Sequence, residues 1–177
     1  STLIATLFPY TTLFRSLLLG VAVSVDAQEF AYKKGYVGNV ELELGCITGT
    51  YGFDSGVLTT HGYGTGNGWF FGGGAGLFVT PNHHAVVSIP IYADVRYNFC
   101  RFAVSPFVDL KVGTVMNVEE LTSGLYASPS VGVMINRFAI SLKYGFYNGY
   151  SSYMSVKGLE ETFYNTHALS VGLTIMF

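Results

Sequence analysis

The sequence predicts an all-β fold: an eight-stranded closed antiparallel transmembrane β-barrel, built as an up-and-down meander. Three observations carry that prediction. The chain is 50% hydrophobic and 16% aromatic but only 11% charged, where a soluble domain carries roughly 25% charged residues. After residue 27, no apolar run approaches the roughly 20 residues that a spanning helix needs. From about residue 35 onward, apolar side chains alternate with small or polar ones in segment after segment. A chain this apolar, without apolar runs, hides its excess only by turning one face of each strand to lipid and the other to a narrow interior.

The N-terminal segment is set apart from this pattern. Thr6 to Ser16 read TLFPYTTLFRS, the translation of a widely used short-read sequencing adapter, and Ser1 and Thr2 fit the bases upstream in the same frame. Residues 1–16 are therefore expected to be adapter-derived and are excluded from fold reasoning. Leu17 to Ala27 (LLLGVAVSVDA) has the apolar core and small-residue end of a signal peptide that has lost its start. The remainder, 28–177, has the length of one domain.

The elements follow in order. Strand one, about 35–46, sets Tyr36, Val40, Leu42 and Leu44 against Asn39, Glu41 and Glu43. Strand two, about 57–64, alternates poorly, and its faces stay unassigned. Strand three, about 68–79, sets Trp69, Phe71, Ala75, Leu77 and Val79 against Phe70, Gly72, Gly74, Gly76 and Phe78. Strand four, about 86–99, alternates most clearly, from Val87, Ile89 and Ile91 to Phe99 on one face and from Ser88, Pro90 and Tyr92 to Asn98 on the other. Strands five (about 102–115), six (about 124–135), seven (about 138–147) and eight (167–177) repeat the pattern. Pro90, Pro106 and Pro129 interrupt the ladder, since proline has no N–H to donate, and bulges or local breaks are expected there.

Connections alternate between short (GTGNG, FCR, NR) and long (CITGTYGFDSG, TPNHHA, MNVEELTSG and 148–166). Short turns at one end and long loops at the other mark bacterial outer-membrane barrels, and an even strand count puts both chain ends on the turn side. The last strand ends LSVGLTIMF, with apolar residues alternating up to a terminal Phe177. This resembles the C-terminal assembly signal of Gram-negative outer-membrane proteins. Residues 35–177 resemble the small eight-stranded outer-membrane β-barrel family. The resemblance implies a monomer in the cell outer membrane, with lipid, lipopolysaccharide and the barrel assembly machinery as partners. A soluble lipocalin-like barrel is the rival, but its water-facing side would be Gly-rich and nearly uncharged, a poor surface for solubility. Aromatics gather near strand ends (Tyr36, Trp69, Tyr97, Phe99, Phe102, Phe138, Tyr147 and Phe177), as interfacial girdles do. The net charge of −2 carries no footprint for nucleic acid.

Seven charged residues fall on the inward faces: Glu41, Glu43, Asp94, Arg96, Asp109, Lys111 and Lys143. An eight-stranded barrel is just filled by its side chains, so these are expected to form a lumen charge network that plugs the interior. An ion path is the sharper alternative. In strand three, GWFFGGGAG lacks the Lys-Ser/Thr and helix of a phosphate loop; its glycines are expected to make room for Phe70, Phe78 and Tyr92. LELGC is dismissed as a lipoprotein box because Asn39, Glu41 and Glu43 deny it an apolar core. The adjacent His83 and His84 do not form a metal site on a regular strand, and no metal or cofactor is expected. His167, with Ser151, Ser152, Glu160 and Glu161 upstream, permits a lipid-modifying enzyme, but no spacing singles out a nucleophile, so no catalytic residue is assigned. Loop four offers an outer surface of Tyr147, Tyr150, Tyr153, Phe163 and Tyr164. Such tyrosines rest on lipopolysaccharide or serve as an adaptable binding surface. Cys46 and Cys100 fall at opposite barrel ends, too far apart for a disulfide. The functional expectation is a structural or surface-interaction role; the alternatives are a lipid-modifying enzyme and a small-solute channel.

Overall fold

A computed structural model describes residues 31–48, 52–81, 85–118, 122–155 and 158–177, with backbone alone for 85, 122, 149–155 and 158–164. The segments expected to be adapter and signal remnant, 1–16 and 17–27, lie outside these residues, as do His83 and His84.

Eight strands close into one barrel in chain order. They are β1 (Lys34–Thr48), β2 (Gly52–Thr65), β3 (Trp69–Pro81), β4 (Ala85–Asn98), β5 (Val104–Asn117), β6 (Thr122–Ile135), β7 (Phe138–Ser155) and β8 (Gly158–Met176). Every neighbouring pair is antiparallel, and β8 returns to β1. The alternation read from the sequence is the alternation of faces. Leu42, Leu110, Leu142 and Val171 point outward and are exposed, while Glu41, Asp109, Lys143 and Ser170 point inward and are buried.

The register sets the shape. Stepping from partner to partner, Gly38 leads to His61, Gly73, Ala93, Val112, Ala127, Phe146 and His167, and from there back to β1 at Thr48. The path returns ten residues along β1 from its start. At ~3.3 Å per residue and ~4.8 Å between strands, that stagger over eight strands tilts them by about 40°, inside the range closed barrels adopt.

β1 begins and β8 ends at the end with short turns. There, Gly66 (φ +84°), Gly68 (φ +95°) and Asn136 (φ +58°) occupy the left-handed region that tight turns require. The loop end differs from expectation. Strand two begins at Gly52 rather than near 57, so residues 49–51 alone join β1 to β2. The 148–166 segment, expected as a loop, continues β7 and β8 as a paired ribbon up to Ser155 and Gly158. Its alternating Tyr, Ser, Thr and Phe suit a strand as well as a loop.

Pro90 and Pro129 interrupt pairing without shifting it, and the break expected at Pro106 is absent. The β3–β4 ladder skips Gly76 and Leu77 opposite Pro90 and Ile89, and the β6–β7 ladder skips Ser128 and Pro129; both resume in the same register. Pro106 leaves the β5–β6 ladder continuous. These are local breaks, and no bulge accompanies them.

Candidate functional site

The interior is filled at three levels. At the turn end, Ala31 is buried against Phe107, Met134, Ala139 and Met176. The Tyr32 hydroxyl donates to the Asn98 carbonyl at 3.0 Å, and Asn98 Nδ2 donates to the Ala31 carbonyl at 3.3 Å. The residues just before β1 thus close this mouth, a contact that strand patterns do not reveal because it lies outside any strand.

The charged residues occupy the middle level, and all seven named from the sequence are buried there. Arg96 lies between the rings of Phe70 and Phe107, at 5.5 and 5.2 Å from their centroids. It reaches Asp109 at 3.6 Å and Asp94 at 3.8 Å. Lys111 holds Asp109 at 2.6 Å, Glu41 at 3.2 Å and Asp94 at 3.9 Å. Lys143 bonds Glu41 and also Glu43, the latter at 3.0 Å. Ser170 and Ser130 donate to Glu43 at 2.5 Å and Asp109 at 3.4 Å. Glu43 therefore belongs to Lys143 rather than to Lys111. Gly172 makes this possible: a Cβ there would collide with Glu41, Ser141 and Lys143. Four acids and three bases form one connected set, the arrangement that makes buried charge tolerable.

An aromatic layer forms the third level, below the loop end. Leu58, Phe78, Tyr92 and Tyr126 pack together, with Tyr147 and Val115 against them. The Tyr147 ring meets Phe78 edge-on at 6.0 Å and Tyr126 at 5.5 Å. Gly74 of β3 has the role expected of it, and Gly56 of β2 adds a second such gap. A Cβ at Gly56 would overlap Phe78, and one at Gly74 would overlap Tyr92. Tyr147 is thus a lumen residue and not part of an outer-loop surface or girdle. The alternation Ala139, Ser141, Lys143, Gly145 already pointed it inward. Tyr150, Tyr153, Phe163 and Tyr164 lie on the ribbon; their backbone register pairs Tyr150 with Phe163 and Gly149 with Tyr164.

Above the aromatic layer, an open cup of about 170 Å³ is lined by Asp54, Thr80, Ser88, Phe78, Val115 and Tyr147, among others. Asp54 is buried, and Thr80 Oγ1 donates to it at 3.2 Å. Sequence reading missed Asp54 because it started strand two too late. The only hint was local: Phe53 and Val57 flank Asp54 and Gly56, but Ser55 and Leu58 break the contrast between the two faces.

Outside, the wall is apolar on seven strands, through Val40, Leu77, Ile91, Leu110, Val131, Leu142 and Leu173, while β2 mixes Phe53, Val57 and Tyr63 with Ser55, Thr59 and His61. Tyr36, Trp69, Phe99, Phe102 and Phe138 are exposed at the turn end. Phe177 closes the β1–β8 seam there, exchanging backbone hydrogen bonds with Gly38 at 3.0 and 2.9 Å. Its ring meets His61 edge-on at 6.2 Å, and His61 Nδ1 bonds the Tyr36 hydroxyl at 2.6 Å. At the loop end, His167 Nδ1 bonds the Tyr144 hydroxyl at 2.7 Å on the outward face. Glu161 stands six residues farther along β8, roughly 20 Å away at ~3.3 Å per residue. Cys46 and Cys100 are free. Among the described residues, no cluster of His, Cys, Asp and Glu could hold a metal.

A closed barrel with an apolar outer wall and a charge-paired interior is the strand architecture that spans a bilayer. No family model matches the chain. No curated protein matches it either. Solved structures do. The outer-membrane enzyme PagL aligns over 77% of this chain and 98% of its own, at 12% identity and a TM-score of 0.57. The outer-membrane protein AlkL, solved in lipid bilayers, aligns over 82% of this chain and 92% of its own, at 12% identity and a TM-score of 0.51. A designed transmembrane β-barrel aligns over 82% and 98%, at 15% identity and a TM-score of 0.50. The chain has the fold of the small eight-stranded outer-membrane β-barrels.

Proposed function

We propose that this protein is an outer-membrane barrel with a plugged interior, and that it acts structurally or through its loop-end surface rather than by catalysis or conduction. The observation that carries this is the triple closure of the lumen. Ala31 and Tyr32 fill the turn end, the paired charges fill the middle, and the Tyr92–Tyr126–Tyr147 layer lies across the loop end. A channel needs a continuous wet path, and every charge in the middle level already has a counter-charge.

The loop end then carries the surface role. The β7–β8 ribbon brings Tyr150, Tyr153, Phe163 and Tyr164 beyond the barrel wall. Its composition suits contact with lipopolysaccharide, and the outward apolar wall suits lipid. Phe177 serves as the signal for the assembly machinery, and the barrel acts as a monomer. The enzyme reading is less favoured, because a general base needs its partner within hydrogen-bond reach. The described partner of the His167 ring is Tyr144, and the carboxylate of Glu161 belongs to a position about 20 Å along the strand.

Planar-bilayer recording of the refolded protein tests the reading. No steady unitary current is expected. A reproducible unitary conductance would overturn the plugged barrel in favour of a small-solute channel.

A further inference from the structure

Five acids are buried among the described residues: Glu41, Glu43, Asp54, Asp94 and Asp109. Four of them have a lysine or arginine within 4.0 Å. Among the described residues Asp54 has none; its partners are neutral, the Thr80 hydroxyl at 3.2 Å and the Ser55 backbone. The lumen cations cannot relieve it, because the layer of Phe78, Tyr126 and Tyr147 lies between. Asp54 instead lines the cup at the loop end, whose lining contains no basic side chain. An uncompensated buried carboxylate is costly unless something completes it.

We infer that this cup is a binding site for a small primary ammonium ion carrying a short apolar body. Asp54 would accept the charged N–H, with Thr80 and Ser88 beside it. Phe78, Val115 and Tyr147 would take the apolar part, the ring faces adding attraction for the cation. At about 170 Å³ the cup is smaller than a drug-sized pocket, which starts at roughly 300 Å³. That limits the guest to about the size of phenethylammonium. A divalent cation fits less well, since it wants six or more oxygen ligands and the cup offers one carboxylate. An anion would meet Asp54. This goes beyond the surface role proposed above and does not depend on the lumen being sealed to ions.

The test is protein-observed NMR of the amide-labelled barrel refolded in detergent micelles, titrated with phenethylammonium and with its neutral isostere 2-phenylethanol. Saturable shifts centred on Asp54, Thr80 and Val115 are expected for the ammonium. Affinity for the alcohol should be about 10- to 100-fold weaker, the worth of a charge-assisted hydrogen bond. Asp54→Asn, which keeps the side-chain shape, should lower ammonium affinity by the same factor and change the alcohol's affinity far less. Equal binding of ammonium and alcohol by the wild type would overturn the site, a comparison that stands even if the variant does not refold. So would shifts that fail to saturate and spread over outward residues such as Leu42 and Val171, which report partition into the micelle.

Discussion

Replacing Lys111 with methionine removes the charge and keeps an unbranched side chain only one atom shorter. In the wild type, four lumen acids face three bases. In K111M they face two. Asp109 would keep Arg96 at 3.6 Å and Ser130 at 3.4 Å, and Glu41 would keep Lys143. Asp94 would keep Arg96 alone, at 3.8 Å, having lost Lys111 at 3.9 Å. Breaking a buried pair by deleting one partner costs about 3–5 kcal/mol. With a urea slope of about 2 kcal/mol/M, the unfolding midpoint should fall by roughly 1.5–2.5 M. Trp69, exposed on the outer wall, reports the transition by fluorescence in lipid vesicles. The double variant K111M/D94N restores the wild-type charge balance of the network and should recover a large part of the loss, with a coupling of about 1–3 kcal/mol. Two results would refute the reasoning: K111M unfolding at the wild-type midpoint, or D94N giving no rescue. The first would mean the charges are solvated rather than a packed plug; the second, that the loss comes from Lys111 packing on Tyr92.

Phe177→Ala should lower stability in vesicles by only about 1 kcal/mol, since the residue is half-exposed, yet sharply reduce insertion in cells. Insertion equal to wild type would remove the assembly role. Cys46 and Cys100 should leave the monomer band at the same position with and without reductant; a shift would contradict the placement of the two thiols at opposite ends.

The face of almost every strand was legible in the sequence, because a strand sends alternate side chains to opposite sides whatever it pairs with. That local rule placed Glu41, Asp94 and Lys143 inside and Leu42, Val95 and Leu142 outside. It also matched the glycines of β3 to bulky lumen residues. Where small polar residues blur the contrast, as in β2, the rule lost its hold and Asp54 went unseen. The C-terminal alternation likewise marked Phe177 without saying that it would close against Gly38. Only the tertiary structure decided who meets whom. Closure with a ten-residue stagger brings Lys143 of β7 across β8 to Glu41 and Glu43 of β1. It seats Ala31 in one mouth and turns Tyr147 into the layer beneath the other. Those contacts join residues far apart in the chain through register and shear, and alternation along a single strand carries no information about either.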